Sequence, residues 1–197
     1  MSPSRTTISV TAITAFLLTP AVIAGEAYVF DDDHTEIRFS WDHLGFSTTS
    51  AYFREFSGTL HFDEDDPTAS EFDMTIPMEG LDTGRPEFTE ELLGADFFDA
   101  DNHPEANFTT TDIRTAGDDR YTLDGELTLR GTTQEVSLDV TINQIDENPI
   151  TGARTIGFDA AGEVLRSDFG MDEFVPMVGD EVQIEISAEM MRADDLD

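Results

Sequence analysis

The chain has no cysteine and no lysine. Without a thiol there is no disulfide framework, no thiolate metal site and no cysteine nucleophile. All ten basic residues are arginines, and they stand against 43 Asp and Glu, for a net charge of −33. A chain so short of cations is excluded from nucleic-acid binding and from anionic membrane surfaces. Catalytic signatures are missing too. There is no Gly-x-Ser-x-Gly, and the glycines are scattered singly through turns, with no run to cradle a phosphate. Long apolar runs are confined to one place, Ile8–Ala24. That run is shorter than the ~20 residues of a spanning helix and is interrupted by threonines and Pro20. With Arg5 before it and Val22 and Ala24 at the −3 and −1 positions, it reads as an export signal cleaved after Ala24. The expected organisation is a signal peptide over residues 1–24 and a single domain over residues 25–197. The expected location is the periplasm, with no stable membrane insertion.

The acids are spread over strands and loops rather than gathered into a tail. This is a solvated skin, the halophilic kind of composition that fits surroundings where salt screens the repulsion. A calcium-binding acidic surface is the rival reading. Asp99-Ala-Asp101-Asn-His103 lacks the glycine and the later glutamate of a calcium loop, and no histidine pair has helix-face metal spacing, so no metal site is expected. No cofactor is expected either.

What is present is alternation. Tyr121, Leu123, Leu127 and Leu129 are set against Thr122, Asp124, Glu126 and Thr128; Val136, Leu138, Val140 and Ile142 then alternate with Ser137, Asp139 and Thr141. Side chains on a strand point alternately to opposite faces, so these are two strands with one apolar face. The Gly-containing connection Arg130-Gly131-Thr132-Thr133 joins them as an antiparallel hairpin. A hairpin cannot bury its own apolar face, and the rest of the chain supplies more sheet.

Glu36–Asp42 alternates after a short lead-in at Tyr28-Val29-Phe30, with Ile37, Phe39 and Trp41 on one side. Phe53–Asp63 follows the polar Ser47–Ser50, with a bend or bulge expected at Gly58. Phe72–Met78, Ala106–Ile113, Arg154–Leu165 and Glu181–Met190 complete a set of eight candidate strands. Pro86, the acids Glu87, Glu90 and Glu91, and Leu92-Leu93 before Gly94 mark one short helix. Eight antiparallel strands close into a barrel that holds side chains or one small ligand; a two-sheet sandwich satisfies the same pattern. Phe88, Phe97, Phe98, Phe169, Met171, Phe174 and Met177 lie outside the strands, where they could plug or lid one barrel end.

Several segments, in order, resemble the YceI family of periplasmic lipid-binding proteins. They are HLGF at 43–46, FREFSGTLHFD at 53–63, ADFFDADNHPEANFTT at 95–110, GELTLRGTTQEVSLDV at 125–140, RSDFGM at 166–171 and VGDEVQIEISAE at 178–189. The resemblance implies an all-β, eight-stranded antiparallel lipocalin-like barrel with a short helix after the fourth strand. It implies an isoprenoid (quinone or polyprenyl) or other long-chain amphiphile as partner, and a binding protein rather than an enzyme. The chain departs from the family where many members have Arg-Asp and then His-Leu in the helix; Phe88-Thr89 and Glu91-Leu92 stand there. A pyrophosphate head loses support, and a neutral head such as a quinone ring gains it.

On this reading the ligand-binding side chains from the early strands are Phe39, Trp41, Leu44, Phe46 and Phe53. Phe97 and Phe108 follow, then Leu127, Leu129 and Leu138 from the hairpin, and Phe158, Phe169 and Met171 from the last third. The alternative is a small enzyme or isomerase using His43 as base in the same cavity. The composition is compatible with a homodimer.

Overall fold

The computed structural model describes residues 25–196; the expected signal peptide lies outside the described residues. Among the described residues, eleven strands and one α-helix follow one another. They are β1 (Glu26–Phe30), β2 (Glu36–His43), β3 (Ser47–Phe53), β4 (Ser57–Phe62), β5 (Glu71–Pro77), β6 (Leu81–Asp82), α1 (Pro86–Leu93), β7 (Glu105–Gly117), β8 (Arg120–Leu129), β9 (Thr132–Glu147), β10 (Arg154–Leu165) and β11 (Val178–Arg192).

These eleven make eight barrel strands, because three of them are interrupted. Both β1 and β2 run antiparallel to β11, with Phe30 opposite Met190 and Glu36 opposite Ser187. The extra residues between them coil into a 3-10 turn at Asp32–His34, capped by the Asp31 side chain, which accepts from the amide of Asp33. In the same way β3 pairs with β2 while β4 pairs with β1, and β6 pairs with β3 while β5 pairs with β4. Every remaining strand pairs antiparallel with its successor, and β1 closes on β11. The ring closes through β1 and β11, and an edge stays open only locally, where the short β6 pairs with β3 alone. The sandwich alternative is thereby set aside.

Three expectations are corrected. The lead-in Tyr28–Phe30 is the first half of the first barrel strand, so α1 comes after three barrel strands rather than four. The polar Ser47–Ser50 belong to β3, held by backbone pairing with β2 at the barrel rim, where no apolar alternation is needed. The bend in the second barrel strand falls at residues 54–56, not at Gly58. There the Arg54 amide donates to the Gly80 carbonyl at 2.8 Å, and Gly80 approaches Glu55 too closely to carry a side chain. Gly58 is small for another reason: the ring of Phe30 and the carbonyl of Asp73 pack over it.

The central hairpin has the expected faces. Tyr121 opposes Val140 and Leu123 opposes Leu138, all pointing inward. The turn is shorter than the spacing suggests. Arg130 and Gly131 both have positive φ, 51° and 72°, which is the two-residue turn whose twist matches its flanking strands. The strain at Arg130 is offset by its guanidinium, which donates to the carbonyls of Ala95 and Gly170 and ties the hairpin tip to the loops over the barrel end.

Candidate functional site

The barrel is not solid. A cavity of about 260 Å³ lies toward the α1 end, and a smaller one of about 80 Å³ lies toward the other end. Phe72, Met74, Leu138 and Ile186 line both, so the two spaces share a waist.

The larger space is built from inward strand positions. On β2 and β3 the rings of Trp41, Phe39 and Phe53 form a stacked wall, with Phe39 5.7 Å from Trp41 and 5.3 Å from Phe53 at interplanar angles of 21° and 24°. The opposite wall comes from Phe108, Leu127, Leu129 and Leu138 on β7, β8 and β9. Phe108 has room because residue 125 is glycine: its ring occupies the place of the missing side chain on β8.

The end is closed by α1 and the loop after it. Pro86 fixes the first helical turn, and the Thr89 hydroxyl bonds to Thr83 at 2.9 Å, anchoring the helix to the strand before it. Phe88 then faces Trp41 at 6.3 Å, and Phe98 meets Phe39 and Phe53 edge-on at 6.0 and 5.8 Å. Phe97 and Leu92 complete this cover.

Three polar side chains reach the wall: His43, Glu91 and Arg166. Arg166 is buried, and its guanidinium donates to the carbonyls of Gly179, Met171 and Val178 at 2.9, 2.6 and 3.2 Å. Burial lowers its pKa from the ordinary arginine value, partly countered by Asp180 and Asp172. Its donors thus hold the turn after β10 against the start of β11. Sequence reasoning missed it. Only its place in the polar-rich RSDFGM segment could have flagged it, and that segment gives no hint of burial. Among the described residues no carboxylate lies within ion-pair distance of the His43 ring.

Of the residues singled out from sequence, Phe39, Trp41, Phe53, Phe97, Phe108, Leu127, Leu129, Leu138 and Met171 line the larger cavity. Phe158 lines the smaller one. Three do not line either. Leu44 and Phe46 sit at the β2–β3 turn, beyond the end of the barrel; Phe46 has the outward parity of Ser50 and Tyr52, whereas Ala51 and Phe53 point inward. Phe169 is buried in the core beneath the turn at Arg166–Phe169 rather than on a cavity wall. Conversely, Phe88, Glu91, Phe174 and Val178 line the cavity and were not among the expected ligand contacts.

No metal site is expected from the sequence, yet Asp31, His34 and Glu189 bring ligand atoms within 4.8 Å of one another. The fold brings together residues far apart in the chain. The group already serves the fold. Asp31 accepts from His34 Nδ1 at 2.9 Å and caps the turn, and that hydrogen bond raises the His34 pKa.

A sequence model of the YceI-like domain matches residues 28–190. A UPF0312 protein of Pectobacterium atrosepticum is 34% identical over 190 residues, covering 95% of this chain and 97% of that protein. The crystal structure of BcnA from Burkholderia cenocepacia superposes with a TM-score of 0.74 at 27% identity, over 81% of this chain and 98% of the other. A polyisoprenoid-binding domain from Saccharophagus degradans shares the fold, with a TM-score of 0.63 at 11% identity, over 85% of this chain and 99% of that domain.

Proposed function

Because this chain belongs to the YceI-like domain family, we propose that it is a carrier that buries an isoprenoid or similar long amphiphile inside the barrel. The observation that carries this reading is the larger cavity: aromatic and aliphatic side chains from β2, β3, β5 and β7 through β11 surround it. Burial alone is a sufficient mechanism. At about 0.8 kcal/mol per CH₂, ten buried carbons give roughly 8 kcal/mol before association costs. The shared waist lets a chain extend from the larger space toward the smaller. The polyisoprenoid-binding domain of the same fold agrees with this class of cargo.

We infer the class of head group from the wall chemistry. Phe88 and Glu91, which stand where the family resemblance implies a cation and an imidazole, both line the cavity. Arg166 commits three donors to backbone carbonyls. A neutral head such as a quinone ring fits this surface better than a pyrophosphate. The protein acts by binding rather than by turnover. Its setting is the periplasm, reached through the leader at 1–24.

Native mass spectrometry of protein purified from its own host tests this. The expected result is one isoprenoid-like molecule per chain, identified after extraction. Protein isolated without detergent that carries no apolar molecule, and that binds no fluorescent isoprenoid probe, would overturn it.

A further inference from the structure

One side of the cavity's rim carries apolar side chains that the fold leaves exposed. Phe46 is 89% exposed, Met177 63%, Phe174 49% and Leu44 46%. They lie together, because β11 opens beside the β2–β3 turn: Val178 pairs with His43, and Gly179 packs on Asp42. Phe174 is at once half exposed and part of the cavity wall, alongside His43 and Val178. The rim is therefore continuous with the interior.

Two of these residues sit where the local backbone disfavours them. Leu44 has φ of 59° beside Gly45 at 71°, in the three-residue connection between the paired His43 and Ser47; left-handed backbone of this kind favours Asn, Asp or Gly. Phe174 has φ of 63°, uncommon for a bulky side chain. At the β8–β9 turn, Arg130 offsets its strain with side-chain hydrogen bonds to two carbonyls. The Leu44 turn is held by Asp42, whose carboxylate accepts from the Gly45 amide at 2.8 Å, while the Leu44 side chain itself stays exposed. Strain kept at an exposed apolar position points to a use outside the fold.

The charge pattern selects what this rim meets. Residues 43–54 and 174–179 carry no Asp or Glu in a chain with 43 of them. Asp42, Asp172 and Glu173 flank the bare patch, all exposed. An anionic surface is repelled by that flank, whereas a zwitterionic surface is not.

We propose that the rim of Leu44, Phe46, Phe174 and Met177 docks on a zwitterionic lipid surface, placing the cavity mouth where an apolar chain can pass without crossing water. This rests on reading the cavity as a lipid site. It is tested by flotation of the purified protein with vesicles of pure phosphatidylcholine and of phosphatidylcholine mixed with phosphatidylglycerol, at low and high salt. The variant is Leu44→Asn combined with Phe46→Ser; asparagine suits the turn, so the melting temperature should not fall.

Binding to phosphatidylcholine is expected, weakened by phosphatidylglycerol at low salt and restored as salt screens the flank. The variant should lose about tenfold in partitioning, the order set by removing one buried aromatic ring. It should keep its affinity for a soluble isoprenoid probe. Absence of vesicle binding, or equal partitioning of variant and parent, overturns the docking surface. So does concentration-dependent dimerisation that the variant abolishes, which would assign the patch to a second copy of the chain. Failure of probe binding in both proteins would instead strike the cavity reading, and the vesicle result would still decide the surface.

Discussion

Phe108 on β7 lays its ring over the Cα of Gly125 on β8, in the space any side chain at 125 would fill. Gly125 stands at an inward position of an otherwise alternating strand, opposite Val136. The glycine thus sets the depth of the cavity wall.

Gly125→Val should push Phe108 into the cavity and press the new side chain on the Thr109 carbonyl, which a Cβ would meet at 2.7 Å. Overpacking of this kind costs about 1–3 kcal/mol. Chemical denaturation should show that loss, with weaker probe binding beside it. Unchanged stability and binding would mean that the ring is not held where the wall requires it.

Leu127→Trp tests the space itself. In a solid core an added ring of this size costs about 1–3 kcal/mol. Leu127 lines the larger cavity, so the indole should enter it and leave the ligand-free fold nearly as stable. Probe binding should be lost. Marked destabilisation with binding intact would place the cargo elsewhere.

Tyr28 is fully buried, and its hydroxyl has no hydrogen-bond partner among the described residues. Burial, with Glu64 and Glu26 nearby, raises its pKa. An unsatisfied hydroxyl costs about 1–3 kcal/mol, so Tyr28→Phe should hold stability or raise it by about 1 kcal/mol. A measured loss above that size would show that the hydroxyl has a partner in solution.

A net charge of −33 should make the fold salt-dependent. The Debye length falls from about 10 Å at 0.1 M to about 3 Å at 1 M, shorter than many spacings between surface carboxylates. The melting temperature should climb across that range. A flat profile would mean that the acids are already neutralised.

At high salt, where the general repulsion is screened, a specific acid limb should emerge. Arg154 donates to both oxygens of Glu64, at 2.9 and 3.0 Å, and that hydrogen bonding lowers the Glu64 pKa. A carboxylate with a lowered folded pKa contributes stability above the ordinary carboxylate range and loses it as pH falls through the folded value. Melting temperature should therefore drop on acidification below that range. The drop should be shallower in Glu64→Gln, which cannot titrate; identical slopes would show the pair to be idle, as exposed pairs often are.

The sequence by itself determined the eight-strand count and the single helix, because period-two alternation and the Pro86 and Gly94 signals are local and survive without tertiary context. A sandwich fitted that pattern as well as a barrel, and only the pairing of β1 with β11 chose between them. The sequence also determined which hairpin residues face inward, since parity fixes the face once a strand exists. Tertiary structure alone decided where that parity ends. Leu44 and Phe46 look like the neighbours of Phe39 and Trp41 in the chain, yet the three-residue turn between His43 and Ser47 leaves them exposed, off both cavity walls. It alone brought Arg166 against the Met171, Val178 and Gly179 carbonyls, and Asp31 toward Glu189. Those meetings depend on which strands close the ring, a long-range choice that no short stretch of sequence records. The empty space inside is of the same kind: apolar side chains specify an inward face, and only the geometry of closure decides whether they meet across it.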